Sequence, residues 1–279
     1  MGTFRVARVG LHFFEEPCIS GSGGSGTVFF SGCDMRCIFC QNKVISRGGA
    51  GVTVTGDDLL QLMLHLEKQG AENINLVTPT PWAKRLIPVL KEFKTRSKLP
   101  VVWNSNGCDD PAVVRAAGDA VDIWLPDLKY SDDALGREYS GAENCFSRSV
   151  AAISAMRALR GRDVFDERGM MREGVIVRHL VLPGAIENTK GVLRAIADID
   201  REMYVSLMGQ YFPTPAVADH PVLSRRLTEE EYDEATEEFF RAGLANGFAQ
   251  ELSSATEEYV PDFDPEPLRE LVGRLRAEG

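Results

Sequence analysis

Three thiols fall within one short stretch of the chain, Cys33-Asp-Met-Arg-Cys37-Ile-Phe-Cys40. Soft thiolates crowded in this way hold a metal centre or carry redox chemistry. A loop this tight can wrap around one polynuclear centre. A 4Fe–4S cube normally takes four thiolates. Here Cys18, Cys108 and Cys145 are distant in sequence, so three ligands would leave one iron open to an exogenous ligand. A structural zinc would need a closed tetrahedral set. His12, His65, His179 and His220 offer a fourth ligand, but none stands at zinc-finger spacing. Zinc and free thiols remain the rival readings. Arg36 within the loop and Lys43 after it would favour the thiolate charge. Phe39 would keep water off a redox centre.

The remaining composition narrows the field. The 279 residues carry 31 Lys+Arg against 41 Asp+Glu, a formal net charge of −10, with 44% hydrophobic and 26% charged residues. That suits a folded globular chain. The acidic balance argues against nucleic-acid and anionic-membrane partners. No run reaches the ~18 apolar residues of a membrane span. No signal peptide is read, so a cytoplasmic, reducing compartment is expected, where clustered cysteines are ligands or catalysts more often than disulfides. Cys18, Cys108 and Cys145 then read as structural.

The elements that must position the thiols follow from short apolar runs at Thr27–Phe30, Ile74–Val77, Val101–Trp103, Val121–Leu125, Val175–Leu182 and Tyr204–Leu207. These are continuous rather than alternating, as expected of strands covered on both faces. Helices are expected at Asp57–Gln69, Trp82–Arg96, Pro111–Ala117, Ser147–Arg160, Thr189–Ile199, Thr228–Leu244 and Glu266–Ala277. Asp110 before Pro111, Thr228 with Glu231, and Gly70 supply cap signals. Alternating strands and helices imply right-handed crossovers and a parallel sheet, with the site at the C-terminal strand ends. Gly161–Gly174 reads as a charged excursion, a hairpin or lid. Gly21–Gly26 lacks the lysine of a phosphate loop and precedes a strand, so it reads as a mobile loop near the cysteines.

Cys-x3-Cys-x2-Cys with an aromatic before the last cysteine resembles the signature of the radical S-adenosylmethionine (SAM) superfamily. The wider stretch Glu16-Pro-Cys-Ile-Ser-Gly, Gly26-Thr-Val-Phe-Phe-Ser-Gly-Cys33 and Cys40-Gln-Asn resembles its PflX-type branch, related to the pyruvate formate-lyase activating enzymes. The resemblance runs from about Arg8 to about Glu251. It implies a 4Fe–4S cluster on Cys33, Cys37 and Cys40, whose open iron takes the amino and carboxylate groups of SAM. Reductive cleavage would give a 5′-deoxyadenosyl radical that abstracts a hydrogen atom.

The resemblance also assigns the strand ends. Asn104-Ser105-Asn106-Gly107 stands where the activating enzymes carry an Asp-Thr-Asn-Gly-like segment near the SAM methionine and a monovalent cation. Asp127-Leu128-Lys129 matches an Asp-Leu-Lys motif whose lysine approaches the SAM carboxylate. Arg178 matches an arginine near the active site. Strand alternation puts it opposite His179, and an unpaired Arg against the packed helices would be costly, so it is expected to face the lumen while His179 faces the helices as a core histidine. Gln210 stands near a strand end from which some relatives use a histidine. The second strand ends Val77-Thr78-Pro79-Thr80 where the activators carry Gly-Gly-Glu, so Thr78 and Thr80 are the available oxygens.

The expectation is therefore an α/β protein, a partial (β/α)6 barrel of the radical SAM type with parallel strands and outer helices. Residues 1–26 would form an N-terminal extension with the Gly/Ser loop, 27–250 the core, and 251–279 a tail with a short helix. Lys129 and Arg178 are the expected catalytic residues. Phe39, Gln41, Asn42, Thr78, Thr80, Asn104, Ser105, Asn106, Asp127, Lys129, Arg178 and Gln210 would line the SAM pocket. The hydrogen donor would be a glycine of a glycyl-radical enzyme, or a small molecule or peptide, with a flavodoxin- or ferredoxin-type protein supplying the electron. A zinc-stabilised binding or scaffold protein is the rival from another class.

Overall fold

The computed structural model describes residues 2–250, Leu252 and residues 261–278. Its strands are β1 (Thr3–His12), β2 (Ser25–Phe30), β3 (Val52–Thr55), β4 (Ile74–Val77), β5 (Val101–Ser105), β6 (Ile123–Pro126), β7 (Val164–Phe165), β8 (Met171–Leu180), β9 (Tyr204–Met208) and β10 (Gly247–Ala249). They form one sheet in the order β10-β9-β8-β6-β5-β4-β2-β1-β3, with β7 paired to β8. Along the main path from β2 to β10 every pairing is parallel, while β7 pairs antiparallel with β8. β1 runs antiparallel to both β2 and β3.

Each of the six expected strands is present, and the reason lies in two-sided burial. Val101 and Trp103 point outward, where they meet Leu86, Leu90 and Val114 of the helices Ala83–Arg96 and Pro111–Ala117. Val102 between them points inward, against Cys18, Ile19, Ile123, Leu125 and Ile176. Burying each such side chain stabilises by about 2 kcal/mol, so both faces demand apolar residues and the period-2 signal disappears. The result is an open (β/α)6 barrel with helices outside, extended by the short seventh parallel strand β10.

β1 escaped the sequence reading because its alternation slips. Phe4 and Val6 face the outer core and so do Val9 and Leu11, with the phase changed by a bulge between Val6 and Arg8. A bulge inserts one residue and shifts the period-2 pattern. The helix Asp133–Ser140 escaped because its buried residues are Gly136 and Ser140, not an apolar stripe. The excursion Gly161–Gly174 is a hairpin, β7 against the start of β8.

The Gly21–Gly26 loop is corrected by the topology. It enters β2 at its N-terminal end, whereas Cys33 follows the C-terminal end, about 20 Å away for a six-residue strand. The loop lies on the barrel floor: a Cβ on Gly23 would stand 2.6 Å from the carbonyl oxygen of Gly70.

Candidate active site

The cysteine loop leaves β2 at the barrel mouth and is held from two sides. On one side Gly32 and Cys33 donate backbone N–H groups to Ile45 O (2.8 Å) and Ser46 O (2.9 Å) of the short helix Lys43–Ser46. On the other, Arg36 N–H donates to Ser140 O (2.8 Å) and Ile38 N–H to Tyr139 O (2.9 Å). The loop therefore satisfies the last carbonyls of the helix Asp133–Ser140, which helix geometry leaves without partners. Gly141 closes that helix in the left-handed region, at φ 58°.

Cys33, Cys37 and Cys40 are free thiols. Burial pushes the Cys37 thiol up; the Lys129 ammonium and the Ser140 hydroxyl oppose this, while Cys40 and Cys33 add to it. Cys37 thus lies near enough to both other thiols to feel their charge. Among the described residues no three His, Cys, Asp or Glu side chains converge on the position of one ion. A closed zinc site needs such convergence. Thiols spread around a loop, with Met35, Phe39, Tyr130 and Tyr211 packed about them, suit a larger polynuclear centre. The donor set therefore fits a cluster held by three thiolates. Arg36 and Lys43 are exposed, so the cation that reaches the sulfurs is Lys129 rather than the loop's own basic residues.

Lys129 comes from the turn after β6, where it pairs with Asp127. Burial alone would depress its pKa, but Asp127 and the Cys37 and Cys33 thiols outweigh that and raise it. Asn106 faces the same mouth, its Nδ2 donating to Asp34 Oδ1 (2.6 Å) and approaching Cys33 Sγ (3.5 Å). Gln41 Nε2 donates to Gln210 O (3.4 Å), joining the cysteine loop to the end of β9. Phe39 packs edge-on against Tyr211, ring centroids 6.1 Å apart. Asn42 caps the helix Lys43–Ser46 through its carbonyl, which accepts Ser46 N–H (2.9 Å).

Other expected residues are placed differently. Ser105 Oγ turns away from the mouth to Asp109, and Thr80 Oγ1 donates to the same carboxylate at 2.7 Å. Trp103 Nε1 adds a third donor at 3.2 Å. Asp109 is fully buried, and burial raises its pKa despite these donors. Its job is to tie the ends of β4 and β5 together, a role that no local sequence signal announces. Asn104 uses its carbonyl to accept Thr78 N–H at 2.9 Å. Thr78 itself sits at φ 59°, a strained conformation for a β-branched residue. Such strain gathers at functional sites.

Arg178 faces inward and His179 outward, as alternation requires. Arg178 is nevertheless not a vacant anion site. Its guanidinium makes a bidentate pair with Glu16 (2.8 and 2.6 Å) and a third contact with Glu15. Asn75 Nδ2 also donates to Glu15 (2.9 Å). Glu15 and Glu16 introduce the short helix Pro17–Ser20, which plugs the barrel from below with Cys18 and Ile19. His179 is a satisfied core residue: Nδ1 meets Leu128 O at 2.8 Å and Nε2 meets Thr189 Oγ1 at 3.0 Å.

Two groups beside the thiols were read as bystanders or passed over. Cys108 and Cys145 form a disulfide, with Cα atoms 5.7 Å apart, that clasps the turn after β5 to the helix Cys145–Arg160. Their separation of 37 residues gave no signal of pairing. Ser140 ends a helix without an apolar stripe, yet its Oγ stands 2.9 Å from Cys37 Sγ.

The Radical SAM superfamily profile matches residues 27–189, more than half of the chain. The chain belongs to the radical SAM superfamily, whose members use a 4Fe–4S cluster and SAM. An uncharacterized protein of Methanocaldococcus jannaschii, MJ0674, is 30% identical over 238 residues, covering 81% of this chain and 64% of the relative. The chain thus spans less than two thirds of that relative's length. Methylornithine synthase has a similar fold, with a TM-score of 0.54 and 16% identity over 91% of this chain and 81% of the other. So has Streptococcus suis SuiB bound to its precursor peptide SuiA, at 0.55 and 13% over 86% and 53%.

Proposed function

We propose that this chain is a hydrogen-atom-abstracting radical SAM enzyme of the PflX-type branch, acting on a glycine of a glycyl-radical enzyme. The single observation that carries the chemistry is the set of three free thiols at the mouth, facing the half-buried Lys129–Asp127 pair. Cys33, Cys37 and Cys40 would hold the cluster. When bound, it supplies the electron that cleaves SAM to methionine and a 5′-deoxyadenosyl radical.

The chain's own groups have separable tasks in this reading. Lys129 offers a fixed positive charge to a carboxylate, a role suited to a lysine point charge. Asp127 orients it. Asn106 and Gln41 offer amide groups to the methionine portion, while Phe39 and Tyr211 exclude water. Thr78 and Thr80 stand where other activators carry an acid, and Thr80 is engaged by Asp109. A substrate presented at the mouth is favoured because the lumen below is filled by Arg178, Glu15, Glu16, Cys18 and Ile19. A flavodoxin- or ferredoxin-type protein would deliver the electron.

Anaerobic reconstitution is expected to give brown protein with about four irons and an EPR signal after dithionite reduction. Incubation with SAM should yield 5′-deoxyadenosine, carrying deuterium when the glycine of a candidate glycyl-radical partner is deuterated. Cys37→Ala should abolish both iron uptake and SAM cleavage. Colourless protein holding one zinc would overturn the chemistry. Label transferred from a small molecule instead would overturn only the substrate.

A further inference from the structure

The three sulfurs are not equivalent in their surroundings. Cys33 is approached by Met35 N–H at 3.4 Å and by Asn106 Nδ2 at 3.5 Å, and Cys40 lies 3.6 Å from Ser46 Oγ. Cys37 alone among them meets a buried hydroxyl at 2.9 Å, that of Ser140. Ser140 is fully buried and touches a second buried hydroxyl, Tyr130 OH.

The proton directions follow from the chemistry of the groups. A metal-bound thiolate only accepts, so Ser140 must give its single proton to Cys37 Sγ. The Ser140 oxygen then accepts from Tyr130, which ends the chain as a donor. The two hydroxyls form a line of donors aimed at one sulfur. Serial hydrogen bonds polarise one another, and the low dielectric of a buried site strengthens them. The serine is fixed there by its backbone, because Ser140 O and Tyr139 O receive Arg36 N–H and Ile38 N–H of the cysteine loop. Gly136 permits this docking: a Cβ there would stand 2.8 Å from Cys145 Cβ.

We propose that Tyr130 and Ser140 are positioning residues that set the reduction potential of the cluster bound through Cys37. This rests on the radical SAM reading above. A donor to a cluster sulfur stabilises the reduced state more, because that state carries more negative charge. Removing the donor therefore makes reduction harder and lowers the potential.

The test is an EPR-monitored redox titration of the reconstituted protein without SAM or substrate. Ser140→Ala should shift the one-electron equilibrium about tenfold toward the oxidised cluster, about 59 mV more negative. Tyr130→Phe keeps the ring and deletes only the hydroxyl; about a threefold shift of the same sign is expected. Ser140→Thr restores a hydroxyl and should return the potential to the wild-type value. Should Ser140→Ala fail to take up iron, Tyr130→Phe and Ser140→Thr decide the matter. Potentials unchanged within a factor of two in a fully loaded Tyr130→Phe variant would overturn the proposal and leave the radical SAM reading standing. A wild-type protein that binds zinc, or no iron, would instead remove that reading.

Discussion

Gly107 and Asp127 are packed so closely that a Cβ on Gly107 would overlap the carbonyl oxygen of Asp127. Gly107 sits at φ 81°, and Asp127 N–H donates to Ser105 O at 3.0 Å. The turn after β5 thus lies directly on the turn after β6, which brings Asn106 and Lys129 to the same mouth. Gly107→Ala combines a steric overlap with a left-handed backbone. A cost on the order of 3 kcal/mol is expected, read as a lower midpoint in urea. The displaced turn should also weaken SAM binding. A variant with wild-type stability and affinity would show that the two turns need no such contact.

Lys129 is predicted to act on the ligand and not on the cluster. Lys129→Ala should weaken SAM binding about tenfold or more, ~1.4 kcal/mol, with iron content and visible spectrum unchanged. Asp127 would be left without its cation in that variant. The double variant Asp127→Asn/Lys129→Ala should therefore regain part of any lost stability while SAM affinity stays low. Loss of iron in both would mean that Lys129 supports the loop's structure.

The parallel core was legible because six apolar runs of strand length have no other use in a chain this size. The thiols were legible because their spacing is rare and chemically narrow. What escaped depended on relations that no local pattern encodes. Ser140 reports itself only once the helix Asp133–Ser140 is docked on the cysteine loop, and its sequence shows an Asp cap and a closing glycine without an apolar stripe. Asp109 gathers Thr80, Trp103 and Ser105 from two strand ends, and only the sheet register brings them together. Arg178 was correctly turned inward by alternation together with the cost of an unpaired arginine against the helices. Its partners lay 162 and 163 residues away, at Glu16 and Glu15, which no spacing argument could join to it.

That buried triad yields a prediction separating structure from ligand binding. Removing the cation leaves two buried carboxylates uncompensated, since Arg178 holds Glu16 below the usual carboxylate range against the effect of burial. Arg178→Met should cost about 3–5 kcal/mol of stability. The triple variant Glu15→Gln/Glu16→Gln/Arg178→Met removes all three charges and should recover most of it, with SAM affinity within about twofold of wild type. A restored fold that binds SAM tenfold more weakly would return Arg178 to the binding site.

The final prediction concerns acid stability and follows from His179. Burial holds its pKa down to about 4 in the folded chain, against 6.5 for an ordinary histidine. Below pH 6.5 the unfolded chain therefore takes up a proton that the folded chain refuses until about pH 4. The unfolded state binds more protons throughout this window, so stability rises with pH across it and is lost as pH falls. The full difference amounts to about 3 kcal/mol by pH 4. His179→Gln removes the titration while keeping groups that can face Leu128 O and Thr189 Oγ1. It should lower stability at pH 7 and flatten the dependence between pH 6.5 and 4, as measured by urea unfolding at each pH. An undiminished slope in that variant would assign the acid sensitivity to other groups, of which His12, a second histidine pushed down by burial, is the first to examine. The Glu231 carboxyl, held down to about 2 mainly by Arg225, loses its stabilising charge only below the unfolded value of 4.5. Glu231 therefore acts below this range, and the slope between 5 and 6.5 belongs to the two histidines that burial pushes down.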